Sequence, residues 1–239
     1  MTAAATVVAP VRPAEPRRSE PFIVAVASQK GGVGKTVIAL GLAAVTADSS
    51  GRALVVDIDP QGTAAEVAGA AGDGLPFDFA TESDPAVLGQ LRKAREFDTI
   101  IVDTPGSLEG QDVLSGVLAA ADLVLIPLTP ERAALTPTLR TARLVERAGV
   151  PYRVVLNLVD PLRGAGPVEA AWAWLERNRI PYMRSMIRRY VAHSQSQLEG
   201  QMITQYRGDG SARRALDDMR RVHAELLLEL GRLAQAGQP

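Results

Sequence analysis

Three features of the 239-residue sequence predict a doubly wound α/β domain, in three layers, with a mostly parallel sheet covered by helices on both faces. Short runs rich in Val, Ile and Leu alternate with helical segments, and they are apolar on both faces as buried parallel strands require. A glycine-rich stretch, SQKGGVGKTV (28–37), follows the first run and opens a helix. Aspartates fall at the carboxyl ends of two further runs, the edge where open α/β sheets bind ligands. A hydrophobic content of 46% is ample for one core.

The elements follow in order. FIVAVAS (22–28) is the first strand, followed by a helix over 35–48; ALVVDID (53–59), TIIVDT (99–104) and DLVLIPL (122–128) are the next strands. A helix over 135–148, the strand YRVVLNLV (152–159) and the helix VEAAWAWLERNR after Pro167 continue the alternation. A short extended segment at 181–187 precedes a polar stretch, and an amphipathic helix spans 211–234. In that helix Met219, Val222, Leu226, Leu230 and Leu233 recur at three- and four-residue spacing, so one stripe faces a core. A membrane-surface helix would want a basic polar face, whereas Glu225 and Glu229 flank these leucines with only Arg232 nearby. Trp172 fits a core-facing stripe with Val168 and Leu175; Trp174 points elsewhere. The stretch 64–96 shows no distinctive motif. Residues 1–20 read as a flexible tail without the contiguous apolar region of a secretion signal, and 21–239 as a single domain.

Composition removes several chemistries. With no cysteine there can be no disulfide, thiolate zinc site, iron–sulfur cluster or cysteine nucleophile. No uninterrupted apolar stretch of about 20 residues is present, so a soluble protein is expected. His193 and His223 are isolated and form no metal cluster. Only Lys30, Lys35 and Lys93 are lysines among 26 basic residues, and two of them sit in the glycine-rich loop. In so arginine-rich a chain, that choice points to a need for compact ammonium groups.

GVGKT between a strand and a helix matches the end of the phosphate-loop pattern, although the strict pattern wants glycine where Gln29 stands. Backbone N–H groups of Gly31, Gly32, Val33, Gly34, Lys35, Thr36 and Val37 would cradle phosphates, with Lys35 reaching the terminal oxygens and Thr36 serving Mg²⁺. VVDIDPQG places Asp57 and Asp59, and IIVDTPG places Asp103, at strand ends on the same edge. Three carboxylates and this threonine make a site for a Mg²⁺-triphosphate, because Mg²⁺ takes few carboxylates directly and keeps several waters. Each aspartate alone could equally be a helix cap. Asn157, ending the strand VVLN, could cap a turn.

KGGVGKT (30–36), VVDIDPQG (55–62) and IIVDTPG (100–106) together resemble the deviant Walker-motif ATPases of the ParA/MinD group, and DPQG resembles the ParA partition branch. The resemblance covers about residues 22–234. It implies ATP and Mg²⁺ as cofactors, ATP hydrolysis, an ATP-dependent homodimer, nonspecific DNA binding, a ParB-like adaptor, and a cytoplasmic, nucleoid-associated protein that partitions a plasmid or chromosome. Lys30 corresponds to the signature lysine that crosses to the partner's phosphates; the bland alternative is an exposed loop lysine. Asp59 would orient the attacking water, Asp103 would hold Mg²⁺ through water with Asp57 in support, and Asn157 would read adenine. Gln61, Thr63 and Gly106 lie in segments that would respond to the γ-phosphate. Val37 replaces a second threonine frequent in ParA proteins. Rival readings are a MinD-like positioning ATPase at the membrane, which the acidic last helix disfavours, and a metabolic P-loop synthetase in which Lys30 acts on a substrate.

The charge is uneven: the formal net charge is only −1, but residues 151–239 carry 13 basic and 9 acidic side chains. Arg188, Arg189, Arg213, Arg214, Arg220 and Arg221 are candidate DNA contacts, since clustered arginines neutralise phosphates without reading sequence. The alternative is arginine decoration of solvated helix faces. The N-terminal tail is too short for a helix-turn-helix module, so operator recognition is not expected.

Overall fold

The structure is a computed structural model in which residues 20–106 and 111–236 are described. Seven strands, β1 (Phe22–Val26), β2 (Ala53–Asp57), β3 (Asp78–Thr81), β4 (Thr99–Asp103), β5 (Leu123–Leu128), β6 (Tyr152–Val159) and β7 (Tyr182–Arg188), form one parallel sheet. Their order is β3-β2-β4-β1-β5-β6-β7. β1 is central: Val26 is opposite Asp103 of β4 on one side and Leu125 of β5 on the other. The chain winds outward in both directions from β1, and the crevice beyond its carboxyl end is where such sheets take ligands. All of β4 and β5 is buried, which is why those strands read as continuous apolar runs rather than alternating ones.

The helices are α1 (Lys35–Asp48), α2 (Thr63–Ala71), α3 (Pro85–Leu88), α4 (Gln111–Ala120), α5 (Arg132–Arg147), α6 (Gly166–Arg177), α7 (Ala192–Leu198) and α8 (Gly210–Ala236). Alternate residues of each strand feed two cores. Val24, Val26, Leu123 and Leu125 meet α1 and α8, whereas Ile23, Ala25, Val124 and Ile126 meet α4, α5 and α6. The apolar stripe of α8 is a core stripe: Met219, Val222, Leu226 and Leu230 are buried and Leu233 packs beside them. Met219 lies so close to Gly41 of α1 that a Cβ there would meet its sulfur at 2.9 Å. The acids beside the stripe serve the sheet. Glu225 accepts the backbone N–H groups of Arg184 and Ser185, each at 2.8 Å, and Glu229 pairs with Arg153 at 2.6 Å. Among the described residues no helix is long and apolar enough to cross a membrane.

Three sequence readings change. Between 64 and 96, where no motif was visible, the structure holds α2, the edge strand β3 and the short α3. β3 is four residues long and mostly exposed, and α2 buries only Ala64 and Ala68, so neither carries an apolar period. The polar stretch after β7 contains α7, which buries Ala192, His193 and Ser196. Trp174, expected to point away, is half-buried against the same core cluster as Trp172. The tail reading for residues 1–19 lies outside the described residues.

Candidate nucleotide and metal site

The loop from Ser28 to Gly34 joins β1 to α1 at the ligand-binding edge of the sheet. Gly34 precedes α1 with φ of 81°, a left-handed conformation that glycine adopts without cost. A side chain at Gly34 would also collide with the amide of Asn157. Asn157, on β6 and 1% exposed, donates from Nδ2 to the Val33 carbonyl at 2.7 Å. In this arrangement Asn157 braces the phosphate loop from beneath, rather than capping a turn at a strand end. The next residue, Leu158, has φ of 54°, and the register between β6 and β7 shifts there. A left-handed leucine is strained, and such strain collects at functional sites.

Lys35 and Thr36 open α1 and reach the end of β4. Thr36 Oγ1 donates to Asp103 Oδ2 at 2.6 Å, while Asp103 Oδ1 is buried without a partner among the described residues. Burial pushes the Asp103 carboxyl up to about 7, against the lowering effect of the Thr36 hydroxyl. Burial likewise lowers the Lys35 ammonium, which Asp103 and then Asp59 partly restore. A buried cation, a buried carboxylate with an orphaned oxygen and a hydroxyl at one helix N-terminus fit a Mg²⁺-polyphosphate: added positive charge relieves Asp103, and phosphate oxygens relieve Lys35 and the loop N–H groups. Thr36 and Asp103 would hold the metal, directly or through water, and Lys35 the phosphates.

Asp57, expected in support of the metal, is engaged with backbone. Its Oδ1 accepts the Asp59 N–H at 2.9 Å and its Oδ2 the Ala65 N–H at 3.2 Å, so it fixes the turn that carries Asp59 into α2. Asp59 lies past the strand end, half-buried, and accepts the Gln61 N–H at 3.0 Å. Gly106 lies over the loop, where a Cβ would stand 3.3 Å from Gly31 Cα and 3.5 Å from Lys35 Nζ.

Lys30 is half-buried on the far side of the loop. Its Nζ is 3.7 Å from Glu131 Oε2, immediately before α5. Its N–H donates to Ser28 Oγ at 3.2 Å, and the neighbouring Gln29 N–H donates to Thr141 Oγ1 of α5 at 3.1 Å. Glu131 and Thr141 were missed in the sequence; the only available signal for Glu131 was an acid just past the carboxyl end of β5.

The candidate DNA contacts divide. Arg188 is locked to Asp218 of α8, with Nε at 2.8 Å and Nη2 at 2.6 Å from the two carboxylate oxygens. Asp218 is 2% exposed, so this arginine balances a buried charge. Arg220 pairs with Asp48 at 2.7 Å and Arg221 lies 3.9 Å from Asp218, both exposed. Arg189, Arg213 and Arg214 are exposed and form no ion pair with a described residue; Arg214 stands over the Tyr190 ring at 5.6 Å.

The fold and this edge define a P-loop nucleotide-binding protein. Residues 24–233 match the family model of the CobQ/CobB/MinD/ParA nucleotide binding domain, and the chain belongs to that family as a ParA/MinD-type ATPase. It is 41% identical over 212 residues to the maintenance of carboxysome distribution protein A of Gloeobacter kilaueensis, spanning 88% of this chain and 96% of that protein. Among solved structures, the MinD cell division protein of Aquifex aeolicus superposes with a TM-score of 0.69 at 18% identity, covering 85% of this chain and 97% of that one. A variant of McdA from Cyanothece in complex with ATP gives 0.66 at 17% identity, covering 87% and 97%.

Proposed function

We propose that this chain is an ATP-driven positioning ATPase. ATP and Mg²⁺ bind at Lys35, Thr36 and Asp103; the loaded protomers close face to face, each Lys30 meeting its partner's phosphates; and the dimer holds DNA without regard to sequence. Hydrolysis, with Asp59 orienting water and a ParB-like adaptor accelerating it, releases the dimer. The observation that carries this reading is the second lysine. Lys30 shares the loop with Lys35 yet faces Glu131 rather than the carboxylates of its own phosphate site. A cation supplied in trans is a known way to neutralise charge on a phosphoryl group.

The likeness to a carboxysome distribution protein favours a protein compartment as cargo over the plasmid or chromosome that the motifs alone suggested. Light scattering tests the reading. Wild type should double its mass with ATP and Mg²⁺ but not with ADP, and Lys30→Ala should remain a monomer that still binds nucleotide. An undiminished ATP-dependent dimer in Lys30→Ala would overturn it.

A further inference from the structure

One sector of helix α5 is made of arginine and threonine alone. At 100° per residue, an arc of about 80° contains only Arg132, Thr136, Arg140, Arg143 and Arg147, and at 1.5 Å per residue the row runs about 22 Å along the helix. All five are exposed. None of the four arginines forms an ion pair with a described residue. The acids beside the row are engaged elsewhere: Glu131 faces Lys30, and Glu146 accepts the Tyr152 hydroxyl. The leucines of the helix, Leu135, Leu139 and Leu144, pack against the core, and no large apolar side chain of α5 is exposed.

Each strand of duplex DNA carries one charge per about 3.4 Å of helix axis, so a row of about 22 Å lies along about six phosphates. Arginine and threonine are among the side chains that take phosphate oxygens. A protein partner would want apolar anchors at the centre of its interface, and this sector offers none. The buried residues of α5 join the core shared with α4 and α6, whereas α8 packs on the other side of the sheet. The row therefore lies on the opposite layer of the fold from α8, which carries Arg213 and Arg214. We propose that the arginine row of α5 is a second binding face for the backbone of duplex DNA, separate from the arginines of α8. This deepens the proposed function, on which it rests for the ATP-bound dimer, by giving each protomer a DNA contact on both layers of the fold.

The test is fluorescence anisotropy of a labelled random-sequence duplex of about 30 base pairs with the full chain, ATP and Mg²⁺, titrated from about 50 mM salt upward. Light scattering on the same samples reads dimerisation. R140A/R143A/R147A should dimerise as the wild type does, bind the duplex at least tenfold more weakly and show a salt slope shallower by about 0.9 for each lost contact. Its effect should add to that of R213A/R214A. R140K/R143K/R147K should retain most of the affinity, because a lysine still meets a phosphate as a point charge. R95A/R177A, which removes exposed arginines elsewhere, should leave it unchanged. Circular dichroism checks folding, which exposed Arg→Ala changes in a helix should not disturb. Wild-type affinity in R140A/R143A/R147A across the titration would overturn the inference, as would an equal loss in R95A/R177A or no duplex binding by the wild type. So would polyglutamate that needs these three arginines while the duplex does not. If R140A/R143A/R147A loses affinity while the wild type stays monomeric with ATP, the DNA face stands and the proposed cycle falls. If the wild type dimerises and binds the duplex only with ATP while R140A/R143A/R147A matches it, the cycle stands and the α5 face falls.

Discussion

Around the phosphate loop, charged side chains are buried against one another; on the C-terminal face they are either locked in ion pairs or turned to solvent. Lys35 and Asp103 are nearly inaccessible and both shifted toward their neutral forms by burial. Such an arrangement is costly in the free protein and is relieved by a ligand that brings both positive and negative charge. The arginine face has no comparable tension. Arg188 has its counterion within 2.6 Å, and Arg213 and Arg214 are exposed without an ion pair to a described residue. A run of like charges in a sequence therefore measures an upper bound on free charge, whereas a lysine buried at a loop already implies an anionic ligand.

The sharpest contrast should appear in catalysis. Asp59→Ala should lower ATP turnover about 1000-fold, within the range for losing a group that orients or deprotonates the nucleophile, while leaving ATP affinity near wild type. The expected product is a persistent ATP-bound dimer. Unchanged turnover would move that role to another residue. Lys35→Ala should weaken ATP binding roughly 100-fold, the upper end for a charge-assisted hydrogen bond. Calorimetry showing wild-type affinity in the folded variant would break the phosphate-site side of the comparison.

On the arginine face, Arg188→Ala should act on stability rather than on DNA. It strips two hydrogen bonds from a buried carboxylate and should cost about 2 kcal/mol in urea unfolding. A fully stable Arg188→Ala protein with weakened DNA binding would return Arg188 to the DNA surface. The smallest effect is expected at Glu131. Its pair with Lys30 is long and only partly buried, so Glu131→Gln should shift the ATP needed for half-maximal dimerisation by no more than about threefold. That shift should vanish in a Lys30→Ala background. A shift that persists there would mean that Glu131 acts on something other than Lys30.

The sequence made the strands of the sheet interior and the phosphate loop legible for the same reason: both obey strong local rules, continuous apolarity for two-sided burial and glycine where backbone must approach an anion. β3 and α2 escaped because an exposed edge strand and an alanine-rich helix bury too little to leave a period. The turn that Asp57 fixes was not legible because a carboxylate at a strand end looks the same in sequence whether or not it accepts two backbone N–H groups. Asn157 drew attention as an asparagine near the site, but only the tertiary fold shows it under Val33, 124 residues away in sequence. Arg188 counted toward a basic patch because Asp218, its counterion, lies 30 residues further on.

Salt-dependent binding of random duplex DNA tests the central claim most directly, measured with ATP, with ADP and without nucleotide for wild type, Lys30→Ala and Arg213→Ala/Arg214→Ala. Wild type should bind tightly only with ATP, with log affinity falling against log salt by about 0.9 per phosphate neutralised. Lys30→Ala should lose the ATP requirement together with the tight binding. Arg213→Ala/Arg214→Ala should dimerise normally yet show a slope shallower by about 0.9 for each lost contact, up to four per dimer. DNA binding of wild type that is absent, or equal in all three nucleotide states, would contradict a cycle in which the buried charges of the phosphate loop switch the exposed charges of the arginine face.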